Sequence, residues 1–195
     1  HSFYPTKILT CGVGGMITTD DDGLAALARS LRHHGQGASL EEIVNLGNDW
    51  VLDELRAVVA LQQLKRLDEF VGHRRRLAAR YDALLGKDPR FTVGKAVAGS
   101  SPSYYKYPVL LPPGVDRDGV RRRLLAEHRI EAGALYSPPV HLMPLYRKLQ
   151  GTGPGMLPVT EALLPRQLTL PMHAAVELAE AERVVSALAQ VLRAG

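Results

Sequence analysis

From Tyr104 to Leu192, strand-like and helical patterns alternate, and this alternation constrains the fold more than any other feature. Tyr104 to Leu111 reads as a strand, Asp116 as the cap of a helix running to about His128, Ile130 to Leu135 as a second strand, and Leu168 to Leu170 as a short last one. A closing helix puts Val184, Leu188, Val191 and Leu192 at i, i+4, i+7 and i+8, which is a single apolar face. Strands and helices in this order must cover one another's apolar faces, so the segment predicts a small α/β layer. A Pro-rich loop from Ser137 to Pro144 interrupts it.

The segment before it has a different character. Residues 13–19 end in β-branched side chains and run into Asp20, Asp21 and Asp22, the pattern of a strand leading to a helix cap. Leu24, Leu27 and Leu31 give the following helix one apolar stripe, and Gly35 and Gly37 end it. Residues 35–50 form a polar loop of a length that is often functional. From Asp53 to Leu85 the pattern is helical, with Leu55, Val58, Val59, Leu61, Leu64 and Leu67 on a broad apolar face and Gly72 as the break between two helices. Residues 86–103 are rich in Gly, Pro and Ser, so a boundary is expected there, dividing the chain into residues 1–87 and 88–195.

Composition acts mainly by exclusion. With 46% hydrophobic and 23% charged residues in 195, the chain is neither a disordered tail nor a fibre nor a rod. Cys11 is the single cysteine, which excludes an intrachain disulfide, a redox CxxC pair and a zinc ribbon, and no metal site is expected. There is no apolar run long enough to span a bilayer and no signal layout, so the expected setting is the cytoplasm, with no membrane partner. The net charge of +4 raises nucleic acid as a partner, but His73 to Arg76 and Arg121 to Arg123 sit inside helical patterns, where solvated helix faces are the stronger reading. The chain opens on His1 rather than Met and runs straight into a motif, which predicts further sequence upstream or on another chain.

That motif centres on Lys7, set among Phe3, Tyr4, Pro5 and Thr6 rather than among other charges. A lysine in an apolar pocket can serve as an amine nucleophile toward a carbonyl, whereas one on a turn simply extends its ammonium into water. Spacing alone favours the second reading. Ser2, Thr6 and Thr10 supply hydroxyls that could meet a phosphate near an aldehyde bound to the amine. Gly12, Gly14 and Gly15 lack the Lys-Ser/Thr ending of a phosphate loop and read better as a tight turn into a strand.

The stretch His1-Ser-Phe-Tyr-Pro-Thr-Lys7-Ile-Leu-Thr-Cys-Gly-Val-Gly-Gly-Met-Ile-Thr-Thr-Asp20 strongly resembles the cofactor-lysine segment of the DegT/StrS family of sugar aminotransferases. Gly47 to Leu64 resembles that family's helix entry, with its Glu-x-x-Ala core and closing Gln-Leu. Asp116-Arg117-Asp118, Ile130 to Gly133, Tyr136 to His141, Leu157 to Glu161 and Leu168 to Pro171 follow in the family's order. The resemblance implies the C-terminal part of a fold type I, pyridoxal 5'-phosphate-dependent aminotransferase: a remnant of the large domain over 1–87 and the small α/β domain over 88–195. It further implies Lys7 as the Schiff-base lysine and as the acid and base of the proton shuttle, Ser2 and Asp49 at the cofactor phosphate, and Tyr136 and His141 on the substrate side. For His141 the residues alone fit a backbone-satisfied loop histidine equally well.

The implied partners are an amino donor such as glutamate, a keto-sugar nucleotide or related cyclitol, the N-terminal half of the same enzyme, and a second protomer in a homodimer. Where many relatives carry Asn and, two residues on, Arg, this chain has Asp49 and Val51, and a carboxylate beside a phosphate is repulsive. Val13 also replaces a common Glu. These departures motivate the alternative of a noncatalytic binding or regulatory protein of the same fold.

Overall fold

The computed structural model describes residues 1–39 and 41–193. It contains two compact units, His1–Glu69 and Phe70–Gly195, which are described separately. The division falls at the start of a helix, whereas the compositional break at 86–103 follows the end of that same helix.

The first unit holds α1 (Asp22–Arg32) and α2 (Glu54–Lys65). Both begin on an aspartate whose carboxylate accepts an amide from the first turn: Asp21 from Leu24 N at 2.9 Å and Asp53 from Arg56 N at 2.9 Å. The expected strand over 13–19 is reduced to an isolated bridge between Ser2 and Gly15, because only the His1–Phe3 segment lies alongside it. The apolar stripes legible in the sequence face outward: Leu24 is 48% exposed, Leu55 83% and Leu61 57%, and neither helix buries a residue. Phe3 and Cys11 are the buried hydrophobic side chains of this unit among the described residues.

The segment after α1 folds back on it. Asn48 N donates to Leu31 O at 2.9 Å and Trp50 N to Arg32 O at 2.9 Å, so two carbonyls left over by the helix end are satisfied by this strap. The approach is so close that only glycine fits. A Cβ at Gly35, where φ is +78°, would stand 1.8 Å from Asn45 O, and one at Gly47 would stand 2.2 Å from Gly35 N.

The second unit contains the hydrophobic core. α3 (Leu67–Leu85) buries Leu77, Tyr81 and Leu85 at i, i+4 and i+8. The break between α2 and α3 lies at Arg66, not at Gly72, which α3 absorbs in its interior. A three-stranded antiparallel sheet follows, in the order β1 (Thr92–Val93), β2 (Tyr107–Leu110), β3 (Gln167–Leu170). Its register pairs Tyr107 with Leu170 and Val109 with Leu168. α4 (Arg117–His128) and α7 (Glu180–Val191) bury Val120, Leu124, Val184 and Leu188 in the same cluster.

The expected strand at Ile130–Leu135 is a single bridge, Gly133 with Thr169. Its ladder stops there because the Gln167 side chain, not a backbone carbonyl, takes the Leu135 amide at 2.8 Å. The Pro-rich loop holds a 3-10 turn (Val140–Leu142), followed by α5 (Pro144–Gln150) and α6 (Pro158–Leu163), two short helices each opened by proline. Arg74, buried on α3, donates to the carbonyls of Tyr104, Tyr105 and Met172 and so ties the helix to the one end of the sheet where the chain enters β2 and leaves β3. Among the described residues no helix is long and apolar enough to cross a membrane.

Candidate active site

Lys7 is placed by local rules. Tyr4-Pro5-Thr6-Lys7 is a tight turn with proline at its second position, closed by Lys7 N donating to Tyr4 O at 2.9 Å. The ends of the loop are drawn together beneath it: Cys11 N and Thr10 Oγ1 both donate to Phe3 O, at 3.3 and 2.9 Å, and Phe3 N donates to Gly14 O at 2.9 Å. Phe3 and Cys11 are buried at the base of the loop, while Lys7 is half-buried at its tip. Ser2 is exposed on the same loop, and its Oγ accepts the Tyr4 amide at 3.4 Å. One loop therefore carries a primary amine and a hydroxyl. That donor set fits the aldehyde and phosphate ends of pyridoxal phosphate.

Asp49 lies elsewhere in the first unit, on the strap. Its backbone bridges His33, its amide donates to Asn48 Oδ1 at 2.8 Å, and its carboxylate side is exposed.

The two substrate-side residues belong to the second unit and have opposite surroundings. Tyr136 is 68% exposed and has φ +33°, an uncommon backbone setting for a bulky residue. Its neighbours hold it there. Arg117, buried, donates to Ser137 Oγ at 3.1 Å and to Leu164 O at 2.9 Å, while Gln167 holds Leu135 on the other side. Arg117 also grips Asp118, and that hydrogen bond, reinforced by Arg121, keeps the Asp118 carboxyl below the usual carboxylate range. An open cavity of about 580 Å³ lies between α4 and the 131–137 segment, with Arg117, Asp118, Arg121 and Ser137 in its wall.

His141 is buried in the 3-10 turn, and its Nε2 lies 3.0 Å from Glu161 Oε1. Glu161 also accepts the amides of Gly155 and Leu157 at 2.9 and 3.2 Å, and the Gly155 amide first, then His141, holds its carboxyl below the ordinary value. Thr152 Oγ1 donates to His141 O at 2.6 Å. These bonds fold residues 151–157 against the turn.

Sequence reasoning passed over Arg117, Gln167 and Glu161 as site-shaping residues. Asp116-Arg117-Asp118 was visible as a helix start, but nothing in a linear pattern announces a side chain that ends at Ser137 or Leu164.

These elements make an α/β chain whose first unit carries an amine and a hydroxyl on one loop. The DegT/DnrJ/EryC1/StrS aminotransferase family profile matches residues 1–189, and the chain belongs to that family. It is 35% identical to the dTDP-3-amino-3,4,6-trideoxy-alpha-D-glucose transaminase of Micromonospora megalomicea, covering 98% of this chain and 51% of that protein. Identity to the GDP-perosamine synthase of Caulobacter vibrioides is also 35%, over 98% of this chain and 51% of that one. The crystal structure of S. venezuelae DesV in complex with a ketimine intermediate superposes with a TM-score of 0.89 at 33% identity, covering 97% of this chain and 50% of that one. The chain thus spans about half the length of the curated relatives it matches.

Proposed function

We propose that this chain contributes the reactive lysine and the small domain of a pyridoxal-phosphate-dependent aminotransferase acting on a keto-sugar nucleotide or a related cyclitol, with glutamate as amino donor. The single observation that carries the reading is Lys7, presented half-buried at the tip of a proline turn with the Ser2 hydroxyl on the same loop, in a chain of this family. Pyridoxal phosphate, when bound, supplies the electron sink that amino-group transfer needs. The amine of Lys7 would hold its aldehyde end and carry the proton of the reaction at Nζ. Ser2 Oγ and neighbouring backbone amides would take the phosphate, and Asp49 on the strap would stand near the phosphate of a second protomer.

Tyr136, projecting from a segment pinned by Arg117 and Gln167, would meet the sugar. His141, fixed by Glu161, would shape that side of the pocket. The exposed apolar face of α2, with Leu55 and Leu61, is a surface that the rest of such an enzyme or its dimer partner would cover, since a stripe of this size gains stability only when removed from water. Residues 1–87 would serve the cofactor and 88–195 the substrate.

The test is incubation with pyridoxal phosphate followed by borohydride, read by intact mass and peptide mapping. The expected result is one added cofactor mass on the peptide containing Lys7, absent in Lys7→Ala, and amination of a keto-sugar nucleotide when the chain is combined with the half of the enzyme that its relatives also contain. A folded chain that acquires no adduct in that combination refutes the reading and favours a noncatalytic role.

A further inference from the structure

A cavity between the end of α1 and the strap behind it, about 650 Å³ in volume, is not used by any of the chemistry assigned to Lys7. Its polar lining is Arg29, Ser30, Arg32, His33, Gln36 and Asn45. Arg29 and Arg32 are three residues apart on α1 and so lie on one helix face. Among the described residues neither guanidinium has a hydrogen bond or an ion pair. The cavity beside α4 differs in this respect: there Arg117 and Arg121 are both engaged by Asp118 and by backbone carbonyls.

The negative end of the α1 dipole favours arginine in the last turn but consumes none of its side-chain donors. Among the described residues no carboxylate belongs to the lining; Glu42 Oε2 would lie 3.3 Å from a Cβ at Gly37, at the cavity's edge, and two guanidinium groups outweigh it. The remaining polar groups are held in place, with Asn45 Nδ2 donating to Ser30 Oγ at 3.0 Å and His33 Nδ1 engaged with Gln36 Oε1. The close approach of Gly35 and Gly47 holds the strap's backbone against the end of α1, beside the side chains that line the cavity.

We propose that this cavity binds a phosphate or diphosphate, with Arg29 and Arg32 as its two cationic donors. Guanidinium groups match phosphate oxygens with paired hydrogen bonds, and a pocket of this volume exceeds a diphosphate and leaves room for an attached nucleoside. Naming a sugar nucleotide as the source of the diphosphate rests on the proposed function; the anion site itself does not.

The experiment is calorimetric titration of the 195-residue chain with inorganic phosphate, pyrophosphate and thymidine diphosphate. Pyrophosphate is expected to bind more tightly than phosphate, and the double variant Arg29→Gln/Arg32→Gln to bind it about tenfold or more weakly, the loss expected from at least one charge-assisted contact. Replacement of both by lysine should fall between parent and double variant, and Arg122→Gln should leave binding unchanged. Circular dichroism verifies that each variant is folded. Thymidine diphosphate binding more tightly than pyrophosphate identifies a nucleotide as the ligand; equal affinity identifies the free anion.

A folded chain that binds no pyrophosphate at millimolar concentration overturns the proposal, as does a double variant with parental affinity. Lys7→Ala should abolish the borohydride adduct and leave pyrophosphate binding intact, so failure of the proposed function and failure of this site are separable.

Discussion

Arg117→Met tests whether a buried side chain holds the segment that presents Tyr136. Arg117 is 5% exposed and donates to Leu164 O at 2.9 Å, to Ser137 Oγ at 3.1 Å and to the Asp118 carboxylate at 2.9 Å. Methionine keeps much of the apolar stem and removes every donor. The Ser137 hydroxyl can turn to water, and Asp118 keeps Arg121 at 3.1 Å, so neither adds much. The Leu164 carbonyl is the group left without its donor; a fully buried unsatisfied acceptor costs about 1–3 kcal/mol, and this part-buried one falls toward the lower end of that range. Removing a desolvated cation offsets part of this, which places the expected loss at about 1 kcal/mol. The assay is urea denaturation followed by far-UV circular dichroism, with amide exchange at Ser137 as the local readout. A midpoint shift worth less than about 0.5 kcal/mol, with Ser137 exchange unchanged, would refute the idea that Arg117 anchors this loop.

Three further outcomes are expected. Leu124 is fully buried in the second unit, so Leu124→Ala should lower stability by about 3 kcal/mol through lost transfer energy plus a cavity, read by the same denaturation curve. Gly35→Ala forces a Cβ into Asn45 O at a φ of +78°, and should detach the strap, seen as new protease cleavage within residues 36–48 while the second unit stays intact. Glu161 has its carboxyl held below its unfolded value of 4.5, so the stability it gives the 151–157 loop is full above that pH and is lost as pH falls through the lower folded value; the Gly155 amide shift should titrate below 4.5, and a midpoint at or above it contradicts the Glu161 contacts.

Much of the local structure was legible because it depends on neighbours in sequence. Asp21, Asp53 and Asp116 all cap helices at acidic residues that precede an apolar period, and Pro5 opens the turn that carries Lys7. Where the reading failed, long-range partners decided. Gly72 stays helical because one glycine costs only about 1 kcal/mol, which the buried face of α3 outweighs. The expected strands at 13–19 and 130–135 shrank to single bridges, because a strand needs a neighbour offering backbone groups along its length, and at Leu135 a glutamine side chain stands there instead.

For the candidate site the division is similar. Spacing alone favoured a lysine extending into water; it was the resemblance of His1 to Asp20, with the ordered segments that follow as far as Pro171, that pointed to the family and to Lys7 and Ser2. Only the tertiary structure decided that Tyr136 projects while His141 is buried against Glu161, and that Arg29 and Arg32 face one cavity. Caps and turns span three or four residues and are written locally. Burial, and the partner a charge meets, depend on residues tens of positions away, and the chain brings these together only when it folds.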